Sequence, residues 1–293
     1  MKAFLALTKP RLTALSVMSG VIGYLLGGGG GSMFSIQFLW SLLGICLLGG
    51  GANAMNMLLE KEYDAQMDRT KNRPLPSKQL NWQQVLAYAI TISASGLYIL
   101  SAHVNALAGW LGLMTLVSYV MVYTPLKRRT TLNTLVGAIP GALPPLIGFA
   151  AAVGTLDERA VFIAAILFMW QMPHFFALSW VHREDYRKAG FKMLCVFDDE
   201  KGSVTARQTN MFVFFLIPIS LAPVHFGFAS QFYLVVASIL GMIFLMVSAF
   251  LFKGVTDQSA RRVFHYSIVY LPLLMICLVV DVNMDAILES LLL

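Results

Sequence analysis

Nine apolar stretches, each long enough to cross a bilayer, recur along the 293 residues and constrain the fold more than any other feature. They lie at roughly 12–28, 36–58, 84–101, 105–123, 132–153, 160–180, 209–227, 232–252 and 264–282. A backbone in contact with lipid has no water to bond, so each segment must satisfy its own N–H and C=O groups. The expected fold is therefore all-α, a polytopic membrane bundle of nine transmembrane helices. With 58% hydrophobic residues and only 12% charged, the chain sits far from a soluble domain, where about a quarter of residues are charged. The mean hydropathy of +0.71 says the same. No soluble unit interrupts the pattern, so residues 1–293 are expected to form a single membrane domain.

Taken alone, the net charge of +6 would suggest nucleic acid as a partner, but its distribution argues for topology instead. Apart from Arg159, all of the 21 Lys and Arg residues fall in the N-terminal segment or in alternate connections between the apolar stretches. The positive-inside rule then puts the N-terminus in the cytoplasm and, after nine crossings, the C-terminus outside. Cys46, Cys195 and Cys277 are widely spaced and form no metal or disulfide pattern. Neither a cleavable signal nor an Arg- and Ser-rich transit segment opens the sequence, which favours a bacterial inner membrane.

The expected outside connections are short. One of them, "GGGGGS" at 27–32, has the composition of a flexible linker and is assigned no function. Two cytoplasmic connections are long, at about 59–83 and about 181–208, and each follows the second helix of a four-helix set. That spacing predicts two parallel four-helix halves plus one further helix, with the working face on the cytoplasmic side. In the fifth stretch, "GAIPGALPPLIG" (137–148) sets three prolines among glycines. Two readings stand for it: a helix bent for packing, or a bend that widens a central cavity.

The first long connection carries the chemistry. In "NMLLEKEYDAQMDRTKNRPLP" (56–76), Asn56, Glu60 and Asp64 recur every fourth position, with Asp68 one turn further if the helix lasts. Such residues share one helical edge, climbing about 6 Å per step. Carboxylates at membrane depth are costly and mark function by default, and a group of them repels itself unless a cation sits between. Oxygen-only ligands suit Mg²⁺, which completes its shell with water and substrate phosphates. Arg69 and Arg73 follow at once, and a guanidinium fork grips phosphate oxygens. The bland alternative is a solvated helix end whose carboxylates pair with Lys61 and Arg69. The whole string reads better as a diphosphate seat, with Asn56, Glu60 and Asp64 as metal ligands.

The string also resembles the first aspartate-rich motif of the UbiA-type intramembrane prenyltransferases. Met57 and Glu60, at positions where most members carry Asp, with "DAQMDRT", are similar to the branch that farnesylates haem. So are "YTPLKR" (123–128), "PGALPPLIG", "WQMPHFFALSW" (170–180) and "EDYRKAGFKML" (184–194). The second motif of the superfamily is depleted here. Its two aspartates align with His182 and Tyr186, which leaves Glu184 and Asp185 as the acids, with Asp185 the expected catalytic one, and argues against a symmetric two-metal site.

The resemblance implies transfer of a farnesyl group from farnesyl diphosphate to a vinyl carbon of haem B, giving haem O, with Mg²⁺ as cofactor. Asn56, Glu60, Asp64, Tyr123 and Asp185 would then be catalytic, with Tyr123 facing the allylic cation. Asp68, Arg69, Arg73, Lys127, Arg128, Arg183, Tyr186 and Lys188 would contact substrate, and His182 a phosphate or propionate. His174, inside the sixth apolar stretch, is the candidate contact for haem iron or a propionate, or else a lone histidine bonded to a neighbouring carbonyl. His103, His225 and His265 are assigned no role. The implied partners are haem B, farnesyl diphosphate, the bilayer and a haem-copper oxidase assembly. Rival readings are prenylation of another aromatic or porphyrin acceptor, a transporter, or a structural role in oxidase assembly.

Overall fold

A computed structural model describes residues 1–28 and 35–284 of the chain. Residues 29–32 of the glycine linker and the C-terminal residues expected outside lie beyond the described residues. Among the described residues every regular element is helical. Eight helices are long and apolar enough to cross a membrane: Ile36–Leu59, Trp82–Val104, Ala106–Leu126, Asn133–Val153, Glu158–Val181, Ser203–His225, Gln231–Lys253 and Asp257–Val282. A shorter apolar helix, Pro10–Leu26, precedes them. These are spans 1 to 9 in chain order, beginning with Pro10–Leu26, and the expectation of a nine-helix polytopic bundle is met.

Two spans begin earlier than hydropathy predicts, because capping sets a helix end where hydropathy sees only the oil. Span 7 starts at Ser203 rather than 209: the Asp198 carboxylate accepts from the backbone N–H groups of Val204 and Thr205, and Asp199 from Ser203. Span 9 starts at Asp257 rather than 264, where Thr256 and Ser259 form a reciprocal capping box. Each therefore carries polar turns that project beyond its apolar stretch. Span 2 stops at Leu59, and Glu60 leaves helical geometry at φ −101°, ψ 7°.

The packing repeats between halves. Span 1 packs on 2, 2 on 3 and 4 on 5; likewise span 5 packs on 6, 6 on 7 and 8 on 9. Spans 2 and 5 are the most buried and form the spine of the bundle. Span 5 reaches its neighbour by backbone contact. A Cβ on Gly148 would run into the carbonyl oxygen of Gly20, and one on Gly23 into that of Pro145, so spans 1 and 5 cross with no side chain between them. Pro140, Pro144 and Pro145 lie inside an uninterrupted helix. The Gln171 amide lies over that stretch, donating 3.3 Å to the carbonyl of Ala138. Packing is thus the visible use of the proline-rich segment, and Gly137 adds one further feature: it leaves room for the ring of Tyr123.

The crossing makes a direct prediction. Gly148→Val should destabilise the detergent-solubilised protein by about 3 kcal/mol, the upper end of the usual overpacking cost. Gly49→Ala, whose added Cβ meets nothing nearer than Thr13 Cγ2 at 3.6 Å, should melt like the wild type. Equal melting temperatures for the two variants would contradict this account of the crossing.

Candidate functional site

The end of span 2 and the connection after it build an open cavity of about 80 Å³ at the mouth of the bundle. Asn56, Glu60 and Asp64 all line it, and all are buried. They share an edge although the helix breaks at Glu60, because the Asp64 N–H still donates to the Glu60 carbonyl at 2.8 Å. Four cations line the same cavity: Lys9, Arg69, Arg73 and Lys127. Lys127 Nζ lies 2.8 Å from Glu60 Oε1. A terminal nitrogen of Arg73 donates to both Asp64 oxygens at 2.7 Å. Lys9 Nζ donates to Asn56 Oδ1 at 2.7 Å. Four cations against two carboxylates leave the seat with excess positive charge, which suits an anion better than a bare metal ion.

Aromatic groups complete the walls. Lys127 Nζ stands 4.7 Å from the centre of the Tyr123 ring, so that ring face already receives a cation. Arg69 lies 4.7 Å over the Tyr186 ring. Both tyrosines line the cavity, with Phe191 and Met193 from the second long connection.

The remaining expected residues lie outside the cavity lining. Asp68 is exposed rather than a turn further along the acidic edge, because the helix does not last. It pairs with Lys71 at 2.8 Å and Lys188 at 3.1 Å, and those hydrogen bonds hold its carboxyl below the usual range. Asp185 accepts from the Asp68 backbone N–H at 3.3 Å and faces Arg69 Nε at 4.0 Å. Asp68, Asp185, Arg69 and Lys188 thus clasp one long connection to the other. Arg128 donates to the Tyr63 hydroxyl, and Arg183 to Asp257 at 2.6 Å. His182 caps span 6, where burial and the nearby Arg69 push its imidazole below the ordinary range. His174 lies between the Trp170 and Phe264 rings, its Nδ1 2.8 Å from Ser267 Oγ of span 9 rather than on a carbonyl.

Lys9 is the residue that sequence reasoning missed. It reads as one more topology charge before the first apolar stretch, yet the chain turns there through φ +46° and aims its ammonium into the seat. Asn53 ties that turn down: its amide nitrogen lies 3.3 Å from the Thr8 carbonyl and 3.2 Å from Thr13 Oγ1.

Comparison with known proteins gives the arrangement its family. The model of the UbiA prenyltransferase family matches residues 16–271. The chain belongs to the UbiA prenyltransferase family. A relative named protoheme IX farnesyltransferase, from Solibacter usitatus (strain Ellin6076), is 42% identical over 282 residues, covering 94% of this chain and 96% of that protein. Two solved structures share the fold of this UbiA-family chain. One, of digeranylgeranylglyceryl phosphate synthase, aligns with TM-score 0.79 at 17% identity over 96% of this chain and 98% of its own. The other, a UbiA homolog from Archaeoglobus fulgidus bound to GPP and Mg²⁺, aligns with TM-score 0.64 at 16% identity, covering 94% and 99%.

The donor set of this UbiA-family site fits a hard cation that brings phosphate with it. Among the described residues no three of His, Cys, Asp and Glu group into a cage for metal. An amide oxygen and two carboxylates on one edge are what Mg²⁺ uses when phosphate oxygens supply the rest.

Lys9 predicts a pH dependence. Burial, then the charges of Arg73 and Lys127, lower its pKa to about 7. A bound diphosphate favours the charged ammonium, so binding takes up a proton above that pH. Pyrophosphate affinity should fall as pH rises beyond about 7, by at most about tenfold per unit. Lys9→Arg, charged throughout, should show a flatter profile by calorimetry. Matching profiles for wild type and variant would count against the assignment.

Proposed function

We propose that this chain transfers a farnesyl group from farnesyl diphosphate to a vinyl carbon of haem B, giving haem O. The observation that carries the reading is the buried Asn56–Glu60–Asp64 edge sharing one cavity with Lys9, Arg69, Arg73 and Lys127. Support for haem as the acceptor comes from relatives named protoheme IX farnesyltransferase, at 42% and 39% identity.

In this reading the C1–O bond of the donor breaks and its electron pair leaves with the diphosphate. Asn56, Glu60 and Asp64 are the residues that would hold Mg²⁺, which supplies Lewis-acid stabilisation of the leaving charge. Lys9, Arg69, Arg73 and Lys127 bind the phosphate oxygens, and their geometry is set in advance because each is already fixed by a neighbour. Tyr123 presents its ring to the allylic cation in the position where it now meets an ammonium. The vinyl π electrons of haem form the new C–C bond, and water adds to the resulting cation with loss of a proton. Asp185 acts by holding Arg69 and the first connection in place, and Lys188 by closing the clasp at Asp68.

The two long connections work at the cytoplasmic face of a bacterial inner membrane, with the N-terminus on that side, and the whole chain acts as one domain. The same excess of cations that seats a diphosphate gives the positive-inside signal. His174 is assigned to haem. Ser267 gives its proton to the Phe264 carbonyl, so Nδ1 donates to Ser267 and Nε2 keeps a lone pair for iron.

Mass spectrometry of haems extracted from cells tests the reading. Wild-type protein should yield haem O and Asp64→Ala none, while the variant remains folded in detergent. Haem O from the variant would remove Asp64 from the mechanism. His174→Ala should weaken haem binding, followed by the Soret band, and leave farnesyl diphosphate binding unchanged. An unaltered haem affinity would take His174 out of the acceptor site.

A further inference from the structure

Asn56 is the one proposed metal ligand that carries no charge, and its usefulness depends on which way its amide faces. The oxygen is a ligand; the NH₂ group is not. Two contacts settle the orientation. Lys9 Nζ lies 2.7 Å from one amide atom, and in the charged form that meets an anion it only donates, so that atom is Oδ1. The other amide atom lies 3.2 Å from Thr124 Oγ1. A threonine hydroxyl has a single proton, and Thr124 spends it on the Tyr119 carbonyl at 2.9 Å. Towards Asn56 it can therefore only accept, which requires Nδ2 at that position. A reversed amide would face donor with donor at Lys9 and acceptor with acceptor at Thr124.

The carbonyl that takes the Thr124 proton belongs to a π-helical turn, Ser118–Tyr123, at the end of span 4. Both the Thr124 N–H and its hydroxyl reach the Tyr119 oxygen. Widened turns of this kind recur at functional sites. Here the turn carries Tyr123 into the cavity wall and leaves Thr124, 1% exposed, directly behind Asn56. Thr124 itself does not line the cavity.

We propose that Thr124 is a positioning residue that locks the Asn56 amide with its oxygen toward the seat, so that a divalent cation arriving with diphosphate meets a ligand rather than a donor. The assignment rests on the metal seat proposed above and adds a residue behind it. Partners that orient a ligand are worth about 10–100-fold in metal affinity, which sets the size of effect to look for.

The experiment measures the affinity of full-length, detergent-solubilised protein for inorganic pyrophosphate, with Mn²⁺ and without metal, by calorimetry. The readout is the factor by which Mn²⁺ strengthens binding. Thr124→Val keeps the shape and loses the acceptor, so the factor should shrink about tenfold. Metal-free affinity, which reports the cations alone, should stay at the wild-type value. Thr124→Ser restores the hydroxyl and should restore the factor. A Thr124→Val protein with an undiminished factor overturns the proposal. So does a fall in metal-free affinity in both variants, which would make Thr124 a packing residue. A wild type in which Mn²⁺ adds nothing overturns the metal seat and this proposal with it, whereas loss in Thr124→Val alone upholds both.

Discussion

Two buried ion pairs organise the mouth of this bundle. Glu60 and Asp64 are almost wholly buried, and each is held by a cation from elsewhere in the chain, Lys127 and Arg73. Removing one partner of such a pair typically costs about 3–5 kcal/mol, because the other charge is left without water or counter-ion. The connection after span 2 therefore has little freedom: Arg73 must fold back over nine residues to reach Asp64. The Thr70 hydroxyl closes the same loop by donating to the Asp64 carbonyl at 2.8 Å. Lys127 ties the end of span 4 to the end of span 2 by the same logic. The groups proposed to grip a diphosphate thus hold the loops in place before it arrives.

That economy depends on how closely the helices approach. The seat needs span 1 near enough for Lys9 to reach Asn56, and the side-chain-free crossing of spans 1 and 5 fixes span 1 against the spine. Spans 2 and 3 use the same device, since a Cβ on Gly96 would lie 2.7 Å from the Leu48 nitrogen. Lipid offers no hydrophobic drive for helices to associate, so close backbone packing and the hydrogen bonds of Asn53, Asn56 and Gln171 carry that task. The polar residues buried along span 2 serve the fold and the site together, whereas Gln171 of span 6 serves the fold.

The nine spans were legible because hydropathy measures the property that the bilayer selects. Their ends were less so: Asp198, Asp199, Thr256 and Ser259 extend spans 7 and 9 by caps that hydropathy ignores. The acidic edge was readable from its spacing of four, and the neighbouring arginines from their sequence proximity. Asp68 continued the spacing and yet turned outward, since the short helix that follows Glu60 ends at Asp64, which periodicity does not reveal. Lys9 was hidden because a basic residue beside an apolar stretch already has an explanation. Thr124 and Asn53 were hidden more thoroughly: their roles exist only through partners 68 and 45 residues away.

The two halves, similar in packing, differ in what they give the cavity. Its acids come from the first connection alone; the second contributes Tyr186, Phe191 and Met193 to the wall. Asp185, the acid expected to serve the site from the second connection, faces Arg69 and a backbone N–H instead. A second buried carboxylate cluster across the seat would need its own cation and would offset the positive excess that draws an anion in. The aromatic and apolar side chains that stand there instead keep that excess. Tyr123 and Tyr186, each already under a cation, show that this wall tolerates positive charge without a carboxylate to meet it.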